Sequence, residues 1–121
     1  MATLKINELN KNFGITEVLK GINLDINDGD FLVLLGPSGC GKSTLLNTIS
    51  GLETINSGEI LIDNHVVNNM EPSDRDIALV FQSYALYPAM TVKKNVTFGL
   101  EQRKTPKEKI AQALEEVSNL L

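Results

Sequence analysis

Short apolar segments recur along the chain, and polar turns rich in glycine, asparagine and aspartate separate them. The apolar positions within residues 4–9 and 19–26 predict two strands, the first with imperfect alternation. The uninterrupted apolar runs at 31–35 and 77–81 are typical of strands buried in a parallel or mixed sheet. Residues 59–62 predict a further short strand.

Helical spacing of apolar residues appears in the segments between these strands. Residues 42–50 predict a helix that ends at a glycine, and residues 91–98 form a weaker candidate. A last helix is predicted from Pro106 onward, because Thr105 can cap it and Glu108 completes a capping box. Strands interleaved with helices favour an α/β layer fold.

The predicted last helix has an apolar face that ends at the last residue without a capping glycine or asparagine. The residues of this face are Ile110, Leu114, Val117 and Leu121. Two interpretations are open. The chain is the front part of a longer protein that covers this face, or the helix packs on its own domain. Residues 63–75, which contain His65, are mostly polar and predict a solvated loop.

Composition narrows the possible classes of function. With 121 residues, 42% of them hydrophobic, the chain can bury a core, which argues against intrinsic disorder. A net charge of −4 without a basic stripe argues against nucleic-acid binding. The single cysteine, Cys40, excludes an internal disulfide and a multi-cysteine metal cluster. The start of the chain lacks a basic region followed by an apolar segment, so a secretory signal is not expected, and the apolar runs are too short for a membrane helix.

The strongest chemical signal follows the predicted strand at 31–35, where residues 36–43 match G-x-x-x-x-G-K-[ST]. Glycines let successive backbone N–H groups point into one concavity, and the following helix adds its N-terminal dipole. Lys42 is expected to reach the β- and γ-phosphates, and the Ser43 hydroxyl to bind Mg²⁺. A dinucleotide-binding loop is excluded because the glycines run G-x-x-G-x-G. The predicted nucleotide-binding residues here are Gly36, Pro37, Ser38, Gly39, Cys40, Gly41, Lys42, Ser43 and Thr44.

Beyond this loop, the chain carries an ordered series of blocks. They are GPSGCGKST at 36–44, GLE at 51–53, SG at 57–58, RDI at 75–77, VFQSYALYP at 80–88, MTV at 90–92, NV at 95–96 and FGL at 98–100. With them the chain resembles the ATP-binding subunit of an ABC transporter, most closely of bacterial importers for sugars and related solutes. The resemblance covers nearly the whole chain. It implies that residues 1–121 are the N-terminal part of an ABC-type ATPase core, a P-loop NTPase fold with a mixed sheet, truncated before the Walker B strand.

The resemblance also implies roles for individual residues. Phe13 takes the place of the aromatic residue that stacks on adenine, with an ordinary core phenylalanine as the less favoured alternative. Gln82 matches the Q-loop glutamine, which contacts Mg²⁺ and the attacking water, so Lys42 and Gln82 are the expected catalytic residues. The groove that receives a short helix of the membrane subunits is expected to be lined by Tyr84, Leu86, Tyr87 and Pro88.

Other motifs of the family do not occur within these residues. The LSGGQ signature, the strand ending in Asp, the glutamate after it and the switch histidine are missing, and Asp63 is followed by Asn64. The family therefore implies an ATPase that drives solute import, while this chain alone is expected to bind ATP and Mg²⁺ without appreciable hydrolysis.

The implied partners are a second ATP-binding subunit, expected to form a homodimer, and transmembrane permease subunits, with no nucleic acid. The implied location is peripheral, at the cytoplasmic face of the membrane. A naturally short, non-catalytic protein that binds nucleotide or docks on membrane subunits is the alternative. A different P-loop enzyme, such as a small-molecule kinase, is disfavoured by the block at 80–88.

Overall fold

A computed structural model describes residues 2–83 and 85–120. The chain forms two compact units, residues 1–79 and residues 80–121, and each is described by itself.

The first unit is built on an antiparallel sheet in the order β2-β1-β3-β4. Its strands are β1 (Leu4–Phe13), β2 (Thr16–Ile26), β3 (Ser57–Ile62) and β4 (His65–Val66). The first three confirm the strands predicted at 4–9, 19–26 and 59–62. A tight hairpin joins β1 to β2, in which Phe13 pairs with Thr16 and Gly14 has a φ of 58°.

The predicted loop at 63–75 is wrong in part, because it contains β4 and a short 3-10 turn at Pro72–Asp74. Asp63 and Asn64 have positive φ values of 48° and 63°, which suits a two-residue turn between antiparallel strands. This turn pairs Ile62 with His65. His65 is exposed as predicted, with Nδ1 2.8 Å from the Asp63 carbonyl oxygen.

The core of the first unit lies between the sheet and helix α1 (Lys42–Ser50), which confirms the helix predicted at 42–50. Leu45 is buried, Ile49 is partly buried, and Leu46 is exposed. The helix ends at Gly51, whose φ of 80° lies in the left-handed region. The buried apolar residues are Ile6, Leu9, Leu19, Leu45, Ile60 and Val67.

The predicted strands at 31–35 and 77–81 are wrong, because the structure gives both runs an irregular backbone. Phe31 is 92% exposed and Val80 is 83% exposed. A strand requires a partner for its N–H and C=O groups, and within 2–83 and 85–120 neither run pairs with another strand. The run at 31–35 is largely uncovered, since Phe31, Leu32, Val33 and Leu35 are exposed and Leu34 is partly buried. It borders a groove of about 680 Å³ beside α1.

The second unit contains two helices, α2 (Val92–Gln102) and α3 (Lys107–Leu120). Helix α2 extends past the predicted end at residue 98, and the Thr91 hydroxyl caps it by accepting from the Lys94 N–H at 3.2 Å. In α3, the predicted apolar face is partly buried at residues 110, 114 and 117, and Leu121 lies outside the described residues. Within the described residues, neither these helices nor α1 has the length and apolar character needed to cross a membrane.

Candidate phosphate-binding site

The backbone of the loop before α1 adopts conformations that favour glycine. Gly39 and Gly41 have φ values of 80° and 100°, which L side chains rarely adopt. A Cβ atom on Gly36 would lie 2.6 Å from Cys40 Sγ, so a side chain at Gly36 would displace the thiol. These glycines therefore allow the loop to fold tightly just before the first turn of α1.

Lys42 lies folded back across this loop. Its ammonium donates to the carbonyl oxygens of Gly36 and Pro37, each at 2.8 Å, and lies 3.4 Å from Cys40 Sγ. The first N–H groups of α1 have no acceptor within the helix, and its dipole places partial positive charge at the same end. A cation and free N–H donors thus meet at one point, which is the donor set that a phosphate group requires.

The exposed hydroxyl of Ser43 follows Lys42 on α1. Such an oxygen suits Mg²⁺, which usually takes few protein ligands beside substrate phosphates and waters. In the described part of the chain, no three His, Cys, Asp or Glu side chains are grouped so that they could hold a metal ion. The donor set therefore fits a metal ion that arrives with a phosphate ligand.

The phosphate loop packs against the β1–β2 hairpin. A Cβ atom on Gly41 would lie 3.1 Å from Leu19 Cδ2 and 3.2 Å from Val18 Cγ1, so only glycine lets the loop approach β2 this closely. Val18 lies two residues from Thr16, the partner of Phe13 in the hairpin. The structure thus brings the end of β1 that carries Phe13 to the same side of the unit as the loop.

Phe13 is 47% exposed, so it is not the core residue that its type alone would allow. The ammonium of Lys11 lies 4.8 Å from the centroid of the Phe13 ring. An exposed aromatic ring offers a flat apolar surface on which a base can stack. The stacking role itself stays a prediction.

The sequence analysis missed Arg75, which is buried at the opposite end of α1. Its Nη1 donates to the Thr48 and Ile49 carbonyl oxygens, both at 2.9 Å, and its Nε to the Met70 carbonyl oxygen at 3.1 Å. Burial lowers the pKa of the Arg75 guanidinium, and the neighbouring Glu71 carboxylate opposes this change. The sequence does indicate that such a residue is needed. Gly51 marks the C-terminus of a helix, and the last carbonyl groups of a helix require hydrogen-bond donors from elsewhere.

The second unit contains the other predicted residues. Gln82 lies in an exposed turn of the second unit, whereas the phosphate loop belongs to the first. The role of Gln82 toward the metal and the attacking water stays a prediction. Leu86, Tyr87 and Pro88 are all exposed, as a docking surface requires, while Tyr84 lies outside the described residues.

Asn95, on α2, fixes the backbone of this exposed segment and was also missed. Its Oδ1 accepts from the Tyr87 N–H at 2.8 Å, and its Nδ2 contacts the Tyr87, Met90 and Thr91 carbonyl oxygens at 3.1–3.2 Å. The Tyr87 and Phe98 rings also lie 4.9 Å apart. The segment at 86–88 is therefore held to α2 by a side-chain clamp and a ring contact.

A model of the ABC transporter family matches residues 19–120. The chain belongs to the ABC transporter family. Membership confirms the resemblance drawn from the sequence, and it implies nucleotide binding.

Curated members of this family match over the whole chain. The sn-glycerol-3-phosphate import ATP-binding protein UgpC of Brucella abortus (strain 2308) is 54% identical over 122 residues. The protein of the same name from Bordetella avium (strain 197N) is 53% identical. Each alignment covers 100% of this chain, which spans only 34–35% of the length of these relatives.

Solved ABC cassettes share the fold. A dimeric ATP-binding cassette in a post-hydrolysis state, bound to ADP and Pi, superimposes with a TM-score of 0.77 at 33% identity. The match covers 93% of this chain and 54% of that one. It confirms the predicted fold class, the N-terminal part of an ABC-type ATPase core.

Proposed function

We propose that this chain supplies the ATP-binding face of an ABC importer subunit, which couples ATP binding and hydrolysis to solute uptake. The observation that carries the proposal is the ammonium of Lys42, held 2.8 Å from two carbonyl oxygens of a glycine-rich loop at the N-terminus of α1. A cation in that position is ready to exchange carbonyl partners for phosphate oxygens.

Each residue of the site has a distinct task in this proposal. Lys42 and the N–H groups at the start of α1 hold the phosphates, while the exposed ring of Phe13 takes the adenine. Ser43 would offer its hydroxyl to Mg²⁺. For Gln82, in the second unit, the family resemblance alone supports a role toward the metal and the attacking water. The metal ion, when bound, neutralises charge on the phosphates.

The partners follow from the relatives and from one exposed surface. The curated relatives are named as import ATP-binding proteins, and a solved cassette of this fold is dimeric. We therefore propose a homodimer of the ATP-binding subunit and permease subunits that dock at residues 84–88, on the cytoplasmic face of the membrane. The solute belongs to the sugars and related polar compounds, a class that includes the sn-glycerol-3-phosphate in the relatives' name.

Hydrolysis by these residues alone is expected to be negligible. The 121 residues contain neither the signature nor the acidic strand end through which the family completes its catalytic site. Positioning and charge neutralisation make up most of the catalysis in P-loop enzymes, and this chain supplies only part of each.

Two measurements on the same samples test the proposal. Binding of a fluorescent ATP analogue, with and without Mg²⁺, should weaken at least about tenfold in Lys42→Ala. Lys20→Ala, at an exposed lysine of β2, is the matched control and should bind as the parent does. Equal affinities of the parent and Lys42→Ala for the ATP analogue would contradict the proposed phosphate site. Phosphate release that Lys42→Ala abolishes would overturn the expected inactivity.

A further inference from the structure

A partly buried ion pair joins β1 to the segment that follows α1. Lys11 Nζ lies 2.7 Å from Glu53 Oε1, and the side chain of Lys11 is 7% exposed. Lysine is rarely buried to this extent unless it is paired, and desolvation makes such a pair costly to form. A pair of this kind therefore adds little net free energy to folding.

The same ammonium lies over the ring of Phe13, 4.8 Å from its centroid. The cation covers one face of the ring, and because Phe13 is 47% exposed, part of its side chain stays accessible to solvent. A cation over one face favours a fixed ring plane through the quadrupole of the aromatic system. A flat ligand then has only the opposite face on which to stack.

Glu53 connects this contact to the helix of the phosphate site. The Glu53 N–H donates to the Asn47 carbonyl oxygen of α1 at 3.1 Å. Three residues later, the Asn56 N–H donates to the Asn10 carbonyl oxygen at 2.9 Å, and Asn56 Oδ1 accepts from the Asn12 N–H at 2.7 Å. The segment after α1 is thus attached both to the helix and to the end of β1 that carries Phe13.

We propose that Lys11 and Glu53 are positioning residues for the base of the nucleotide, which fix the plane of the Phe13 ring relative to the phosphate loop. The inference rests on the proposed function, since it assumes that a nucleotide binds with its base on Phe13. Lys11 acts through Phe13, and Glu53 acts through Lys11. Neither side chain needs to touch the phosphates.

The test compares ATP with inorganic tripolyphosphate, which has the phosphates but no base. Lys11→Met keeps the apolar stem and removes the cation, so it should weaken ATP binding about two- to fivefold and leave tripolyphosphate binding unchanged. Lys11→Arg keeps a cation that can pair with Glu53 and lie over the ring, and should restore ATP affinity. Lys5→Met, at an exposed lysine of the same strand, is the matched control.

Glu53→Gln alone leaves a buried charge unpaired and endangers folding. The double variant Lys11→Met with Glu53→Gln leaves no unpaired charge, and it should match Lys11→Met in both affinities. Equal weakening of ATP and tripolyphosphate would show a structural role only and overturn the proposal, as would unchanged ATP binding in folded Lys11→Met. A parent chain that binds neither ligand would overturn the proposed function itself. A parent that binds both equally would overturn only the base contact.

Discussion

The guanidinium of Arg75 lies 2.9 Å from the carbonyl oxygen of Thr48, across 27 residues of sequence. The same nitrogen reaches Ile49, so one buried side chain satisfies two carbonyl groups at the C-terminus of α1. The opposite terminus of that helix forms the phosphate site. A cationic side chain therefore lies at each end of α1. Arg75 binds the C-terminal carbonyl groups, where the helix dipole favours a cation, while Lys42 binds carbonyl groups of the loop that precedes the N-terminus.

Replacing Arg75 with methionine should destabilise the first unit by about 2–3 kcal/mol. Methionine fills much of the space of the arginine side chain, but it donates no hydrogen bond to the carbonyl groups of α1. Urea unfolding followed by circular dichroism measures the loss. Lys109→Met, at an exposed lysine of α3, should change the midpoint little. Equal midpoints for the two variants would contradict the capping role.

Gly51→Ala should be more costly than Gly14→Ala, although both glycines have positive φ values of 80° and 58°. At Gly14 a Cβ atom meets nothing within 4 Å, so the cost is left-handed backbone strain of about 1–2 kcal/mol. At Gly51 the Cβ atom would lie 2.7 Å from Arg75 Nε and would displace the guanidinium. Unfolding free energies check the order, and Gly51→Ala should cost less in the Arg75→Met background.

The exposed run at 31–35 should make the isolated chain prone to self-association. Phe31→Asp places a charge in the run, where Phe31 is 92% exposed, and should raise the concentration at which light scattering first increases. Ile15→Asp adds the same charge at a residue that is equally exposed but lies in the β1–β2 turn. A similar rise in that concentration for both variants would mean that net charge, rather than the apolar run, governs association.

Asn95→Ala should weaken capture of permease subunits without changing nucleotide affinity. The substitution removes the donors and acceptor that hold the backbone of Tyr87, Met90 and Thr91, so the exposed segment loses its fixed conformation. Co-purification of the ATP-binding subunit with its permeases measures the effect, which we expect to be at least about fivefold. Asn119→Ala, at an exposed asparagine of α3, is the control. Undiminished capture by Asn95→Ala would show that the clamp is dispensable.

The sequence predicts most reliably the features that depend on neighbouring residues. Helix α1 and its end at Gly51 were placed correctly because helical spacing and cap lie within one short segment. The apolar run at 31–35 was assigned as a strand on composition, but a strand also needs a hydrogen-bonding partner, which composition does not provide. The short strand β4 was missed because Asp63-Asn64 is a weaker turn signal than Asn-Gly.

The two missed polar residues show where sequence reasoning ends. Arg75 acts on carbonyl groups 26 and 27 residues away, and several cations of the chain could have filled that place. Asn95 acts locally, but asparagine on a helix is usually a solvated residue, and only the loop folded over α2 gives it partners. Side-chain-to-backbone contacts of this kind depend on how the segments come together.

The position of the buried core along the chain has a consequence for biosynthesis. All of its apolar residues, from Ile6 to Val67, leave the ribosome early, so the first unit can close while later residues are still being added. The apolar run at 31–35 is then exposed on the folded first unit as soon as that unit closes. We expect the nascent chain to depend from that moment on a chaperone that shields apolar segments.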